Sequence, residues 1–136
     1  MSVILDTGVV VSLYDSADPD HAATAAWVSQ LDEDLVTTPV ALAEMDYLVT
    51  KRGGAAGREA LWRDFDVGAY GVRWWADALT ETLAVARHHP FAGLADASLV
   101  ALSGVLRTNR IATFDQHFRS MTTLRGEPFV LLPLDA

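Results

Sequence analysis

The sequence predicts an α/β fold, a three-layer α/β/α arrangement with helices on both faces of a central, mainly parallel sheet, and three observations carry the reading. Short apolar runs rich in β-branched residues, Val3-Ile4-Leu5 first among them, suit strands buried on both faces. These runs alternate with longer stretches of helical periodicity, as strands joined by crossover helices do. Two of the runs, residues 3–5 and 110–114, stop at an aspartate, Asp6 and Asp115. In a parallel sheet both carboxylates then sit on one edge, outside the carboxyl ends of the strands, where open α/β sheets bind their ligands.

Taken in order, residues 7–15 turn helical despite their valines, because a parallel strand must be followed by a crossover. Asp18-Pro19-Asp20 reads as a helix start, with a capping acid, Pro at the first helical position and an acid in the first turn. Ala23, Trp27 and Leu31 share one face of that helix, and Asp32, Glu33 and Asp34 mark its exposed end. Residues 35–38 form the second strand, and Thr38-Pro39 caps the next helix. Over residues 40–51 that helix carries Ala41, Leu42, Met45, Leu48 and Val49 as an apolar stripe, and Gly53-Gly54 ends it. Residues 55–65 make another helix with Leu61, Trp62 and Phe65 inward and Arg58, Glu59 and Arg63 outward. Gly68 breaks the pattern before a strand over residues 70–75. A helix over 76–87 follows, with Leu79, Leu83 and Ala86 in register, and His88-His89-Pro90 stops it. Residues 93–107 are apolar nearly all round, which marks a buried central helix. Residues 110–114 and 128–132 complete the sheet.

Composition narrows the classes. The chain has 136 residues, within the range of one domain spanning 1–136, and its 51% hydrophobic content is globular. It has no cysteine, which excludes a disulfide scaffold, a thiolate metal site and a Cys nucleophile. No run reaches the roughly 18 apolar residues of a membrane span, and the N-terminus lacks signal-peptide order, so a cytoplasmic protein without a membrane partner is expected. A net charge of −8 opposes nucleic-acid binding taken alone. Acids gathered around a divalent cation would count in that formal charge without repelling the substrate. Nine of the ten basic residues are arginine, the better fork for phosphate oxygens.

The acids are the informative residues. Asp6 is open to two roles, capping the following helix or chemistry at the sheet edge. Asp96 interrupts the apolar run Leu94 to Leu102, and a carboxylate there needs a helix N-terminus, a cation or a metal. Glu44 and Asp46 lie on opposite edges of their helix stripe, roughly 160° apart, so only one faces the sheet edge, and periodicity leaves the choice open. Converging carboxylates repel one another unless a cation neutralises them. With neither Cys nor His-rich spacing the donors are all oxygen, which suits Mg²⁺ or Mn²⁺ rather than Zn²⁺. Such an ion serves phosphodiester hydrolysis.

The strand ending Asp6-Thr7, the helix bearing Glu44 after Thr37-Thr38-Pro39, the run Gly93-Leu94-Ala95-Asp96-Ala97, and Ala112-Thr113-Phe114-Asp115-Gln116-His117-Phe118 together resemble a PIN-domain ribonuclease. In compact length the chain is most similar to the VapC toxins of type II VapBC toxin–antitoxin pairs. The resemblance implies that Asp6, Glu44, Asp96 and Asp115 form an acidic quartet around Mg²⁺ or Mn²⁺, Asp6 and Asp96 being direct ligands and Thr7 and Thr113 supporting hydroxyls. It selects Glu44 over Asp46. It also implies cleavage of a structured RNA such as a tRNA or ribosomal loop, a homodimer, and inhibition by a VapB-type antitoxin that inserts a segment into the acidic groove.

Plainer roles fit other residues. His117 stabilises packing or a turn, His88 and His89 suit a helix end, and Trp27 and Trp62 sit on apolar helix faces. One of Trp74 and Trp75 points outward from a strand. The rival function is a non-catalytic acidic α/β binding or signalling module. A receiver domain, however, wants an acidic pair after the first strand and a lysine at a later strand end, whereas Thr7-Gly8 follows Asp6 and the only lysine is Lys51. A haloacid-dehalogenase phosphatase wants Asp-x-Asp, and residue 8 is Gly.

Overall fold

The computed structural model describes residues 1–136 and contains five strands in a single all-parallel sheet of order β3-β2-β1-β4-β5. The strands are β1 (Ser2–Leu5), β2 (Asp34–Thr37), β3 (Gly71–Val72), β4 (Arg110–Ala112) and β5 (Val130–Leu132). The helices are α1 (Thr7–Tyr14), α2 (His21–Ser29), α3 (Pro39–Asp66), α4 (Ala78–His88) and α5 (Leu94–Leu106). By the right-handed rule for parallel crossovers, the chain runs from β1 outward to β3 through α1, α2 and α3 on one face, then back past β1 to β4 through α4 and α5 on the other. The packing agrees, α1 lying against α2 and α3, and α4 against α5.

β1 is the centre of this arrangement. Val3, Ile4 and Leu5 are fully buried, and Ile4 pairs with Val36 on one side and Ile111 on the other. The strand order reverses between β1 and β4, so the crevice outside their carboxyl ends is the topological switch point. A helix that returns the chain to a parallel strand runs antiparallel to it, which brings the N-terminus of α5 to that same edge.

Helix α3 starts as its sequence predicts. Thr38 Oγ1 accepts the Ala41 N–H at 3.2 Å, Pro39 occupies the first turn, and Thr38 Oγ1 also bonds Ser98 Oγ of α5 at 2.7 Å. Gly54, at φ 67°, kinks α3 at the Gly53-Gly54 pair rather than ending it there. At Gly53 a Cβ would stand 2.6 Å from the Tyr14 carbonyl oxygen, so glycine lets α1 close onto α3.

Several local expectations are corrected. Pro19 lies in a turn ahead of α2 rather than at its first position; Asp18 Oδ1 accepts the Asp20 N–H and the helix begins at His21. The buried contact of α2 is Thr24, with Trp27, Val28 and Leu31 against the core, while Ala23 is exposed. The strand over 70–75 shrinks to Gly71–Val72; Trp74 is exposed and Trp75 half-buried, its indole N–H donating to Glu81. On α4 the buried face is Ala78, Thr82 and Val85, while Leu79 is exposed, because small residues let α4 and α5 approach closely. Trp62 is 46% exposed, not inward: its indole N–H donates to Asp46 at 2.7 Å and its ring carries the Arg58 guanidinium. Glu33 is not simply solvated but takes a two-bond ion pair from Arg110. No helix is long and apolar enough to cross a membrane.

Candidate active site

Asp6, Glu44, Asp96 and Asp115 line one cavity of about 340 Å³ at the carboxyl edge of the sheet, together with Thr7 and Gly8. Each arrives by a different route. Asp6 is the residue that leaves β1 and precedes α1, its backbone extended at ψ 161° and its N–H bonded to the Ala112 carbonyl of β4. Its side chain does not cap α1; it accepts the Thr113 hydroxyl at 2.7 Å instead. Of the two roles open to Asp6, capping is therefore not the one its side chain plays.

Thr113 closes the link between the two strand ends. Its Oγ1 donates to Asp6 and accepts the Asp115 N–H at 2.9 Å, so one buried hydroxyl sets the positions of two acids. Asp115 in turn accepts the His117 N–H at 2.9 Å and caps a short 3₁₀ turn, Gln116–Ser120. His117 has the turn-stabilising role, with its Nδ1 a further 3.2 Å from the same carboxylate oxygen.

Asp96 lies in the first turn of α5, whose N-cap is Gly93, and makes no side-chain hydrogen bond or ion pair to another residue. Glu44 projects from α3 at the exposed rim of the cavity, likewise without a partner. Asp46 turns away from this cavity and is held by Arg58 through two hydrogen bonds of 3.1 Å and by Trp62. The geometry thus makes the choice between Glu44 and Asp46 that helical spacing left open.

Electrostatics register the convergence. Asp6, only 5% exposed, is raised to about 6, first by loss of water and then by the charges of Glu44 and Asp115, against the lowering effect of Thr113 and the Thr7 backbone. Asp96 is raised to about 7, again by desolvation first, then by Asp6, Asp115 and Glu44, with His117 opposing. These are carboxylates that a positive charge would stabilise.

The donor set fits a hard divalent cation. All its members are oxygens, two of the acids lack protein partners, and the Thr7 hydroxyl is buried in the cavity wall without a hydrogen bond. The acids are not drawn into a tight cage, since no three of them are gathered closely enough to grip an ion as they stand. An ion such as Mg²⁺ keeps several waters and takes only one or two carboxylates, so part of this set would suffice to hold it.

Two lining residues escaped the sequence reading. Asp18, in the turn before α2, adds an acid to the wall, and Arg52 of α3 adds the cavity's one cation. Arg52 follows Glu44 and Leu48 at steps of four along the same helix face, a signal the sequence held; nothing local in the sequence points Asp18 inward.

The chain is similar to known proteins along nearly its whole length. The PIN domain family model matches residues 3–124. Ribonuclease VapC26 of Mycobacterium tuberculosis (strain ATCC 25618 / H37Rv) is 33% identical, over 96% of this chain and 100% of that protein. Among solved structures, Mycobacterium tuberculosis VapC20, a Sarcin-Ricin loop cleaving toxin, superposes with a TM-score of 0.80 at 18% identity, covering 93% of this chain and 99% of VapC20. VapBC2 from Rickettsia felis, bound to a DNA fragment from its promoter, gives a TM-score of 0.65 at 14% identity, covering 96% of this chain and 97% of that one. With the parallel sheet, its switch point and the acid-lined edge already in place, the chain belongs to the PIN-domain family.

Proposed function

We propose that this chain is a single-domain, divalent-metal-dependent endoribonuclease, the toxin of a VapBC-type toxin–antitoxin pair, cleaving a structured RNA such as a tRNA or a ribosomal loop. The observation that carries the proposal is the meeting of Asp6, Glu44, Asp96 and Asp115 in one cavity at the switch point of the sheet. Identity of 33% to a ribonuclease along its whole length supports the same reading. A non-catalytic binding or signalling module gains no comparable support.

Asp6 and Asp96 would hold Mg²⁺ or Mn²⁺, with Glu44 and Asp115 at its outer side. When bound, the ion neutralises the carboxylates, steadies a phosphate oxygen and lowers the pKa of an attacking water. Thr113 fixes Asp6 and Asp115 in one orientation, so little reorganisation is needed when the phosphodiester arrives. Glu44 and Asp115 accept hydrogen bonds from waters in the cavity and keep one of them on the scissile side of the phosphate. The Thr7 hydroxyl supplies a donor at the floor of the cavity.

A cationic segment of a VapB-type antitoxin would complement this acidic cavity and shut out RNA. The chain is further proposed to pair as a homodimer and to act in the cytoplasm; light scattering at twice the chain mass checks the pairing.

The test is incubation with total cellular RNA, with and without Mg²⁺ or Mn²⁺, beside Asp6→Ala and Asp96→Asn, with new RNA ends mapped. Discrete ends that require both metal and carboxylates are expected. Identical RNA profiles for wild type and variants under every metal condition would overturn the nuclease assignment.

A further inference from the structure

The acidic cavity explains where a phosphate is cut but leaves open how a polyanion is held by a chain of net charge −8. Two features beside the acids answer this. On the Glu44 side stands Arg52, eight residues further along α3 and so about 12 Å along the helix axis. It is exposed and makes no ion pair or side-chain hydrogen bond, a state it shares with Arg63, Arg73, Arg87, Arg107 and Arg125, but among the arginines it alone lines the cavity. A guanidinium kept free beside several carboxylates is available to an incoming phosphate.

On the Asp115 side runs a chain of rings. His88 and His89 are 5.1 Å apart between centroids, His89 and Phe91 5.6 Å, and Phe91 and His117 5.8 Å. The last of these rings reaches Asp115, 3.2 Å from its carboxylate. Phe91 is 53% exposed, flanked by two imidazoles and buried against nothing on its open side. An exposed phenyl ring braced in this way, next to a phosphate-cutting site, has the form of a base-stacking platform. Arg52 thus adjoins the acids from α3, on the same helix as Glu44, and Phe91 adjoins them through His117 and Asp115.

We propose that single-stranded RNA crosses the cavity from Arg52 to Phe91, the guanidinium holding a backbone phosphate on one side of the scissile bond and the Phe91 ring stacking on an unpaired base on the other. Both are positioning residues, and the inference rests on the nuclease reading above. It also states what the substrate must offer: an unpaired loop or bulge rather than a continuous duplex, since bases stacked within a helix cannot reach a side-chain ring.

The test measures cleavage rates at the ends mapped in total RNA, at limiting enzyme and several salt concentrations, for Arg52→Gln, Arg52→Lys, Phe91→Leu and Phe91→Tyr, beside wild type and Asp96→Asn. Thermal melts establish that each variant is folded. Arg52→Gln is expected to slow cleavage about tenfold and to make the log–log salt slope less negative by about one, with Arg52→Lys keeping most of both. Phe91→Leu, which preserves apolar packing without a π face, is expected to lose about tenfold, and Phe91→Tyr to recover it. Wild-type rates and slopes in Arg52→Gln and Phe91→Leu, with Asp96→Asn inactive, would overturn the RNA path while leaving the nuclease intact. Equal loss in Phe91→Leu and Phe91→Tyr would overturn stacking. If wild type makes no metal-dependent ends that Asp96→Asn removes, the nuclease reading itself fails, and the path with it.

Discussion

Asp6 stays ionised in the folded chain only against loss of water and the charges of Glu44 and Asp115, which is why its pKa rises from 3.8 to about 6. An acid raised on folding weakens the fold once ionised; that loss is complete above the folded value and vanishes below the unfolded one. For Asp6 it amounts to about 3 kcal/mol in full, roughly half of it recovered as pH falls from about 8 to about 5. Asp96, raised to about 7, acts in the same direction. Melts in chelator should therefore show stability increasing as pH drops through this window, with a shallower slope in Asp6→Asn. Adding millimolar Mg²⁺ should raise the melting temperature more at about pH 8 than at about pH 5, where protons already neutralise the cluster. Asp96→Asn should abolish cleavage and leave stability at about pH 8 unchanged or higher, because it removes a like charge. Asp46→Ala separates the neighbouring acids: it should cost about 1 kcal/mol through the lost Arg58 and Trp62 bonds and leave cleavage at the wild-type rate, measured by denaturant melts and RNA assay.

At the scale of elements, α3 is the piece whose geometry matters most to the site, since its first half carries Glu44 and Arg52 and its second half is anchored elsewhere. Tyr14 of α1 hydrogen-bonds Asp64 and Tyr70, and Arg58 and Trp62 clamp Asp46 from beyond the kink. The kink itself needs Gly54 at φ 67°. Gly54→Ala should cost about 1–2 kcal/mol in a denaturant melt, the penalty of holding a side chain in that region. Thr38→Ala should cost about 1 kcal/mol by removing the α3 cap, and somewhat more because Ser98 on α5 loses one of its two partners, keeping only its bond to the Ala95 carbonyl. Both outcomes follow from backbone geometry and are independent of metal.

For the whole molecule, the long-range field of a chain at −8 repels RNA, so association depends on local contacts and on cation neutralisation rather than on steering. At fixed Mg²⁺ the cleavage rate should consequently fall only about four- to eightfold between about 20 and 150 mM monovalent salt, the share of one phosphate contact, where a strongly basic nuclease loses orders of magnitude. A steep fall would mean that many more phosphate contacts form than Arg52 can supply. The same field favours a cationic partner segment in the cavity, and salt should weaken that complex.

The strand–helix alternation, the acids at the ends of β1 and β4, the Thr38-Pro39 start and the Gly54 break were all legible in the sequence, because each follows from the order of neighbouring residues. Asp96 was legible as an anomaly in an apolar run, and the resemblance assigned Glu44. Tertiary structure alone decided the rest. It turned Asp46 outward onto Arg58 and Trp62, tied Asp6 to Thr113 across 107 positions of chain, brought Asp18 to the cavity wall, and set Phe91 against His117. It also reduced β3 to two residues and exposed Leu79 and Trp62, because helix faces are chosen by the fit of neighbours as well as by hydrophobicity. Sequence determines what lies on one helix face or at one strand end; which faces and ends meet depends on strand order, and that is settled only when the sheet closes around β1.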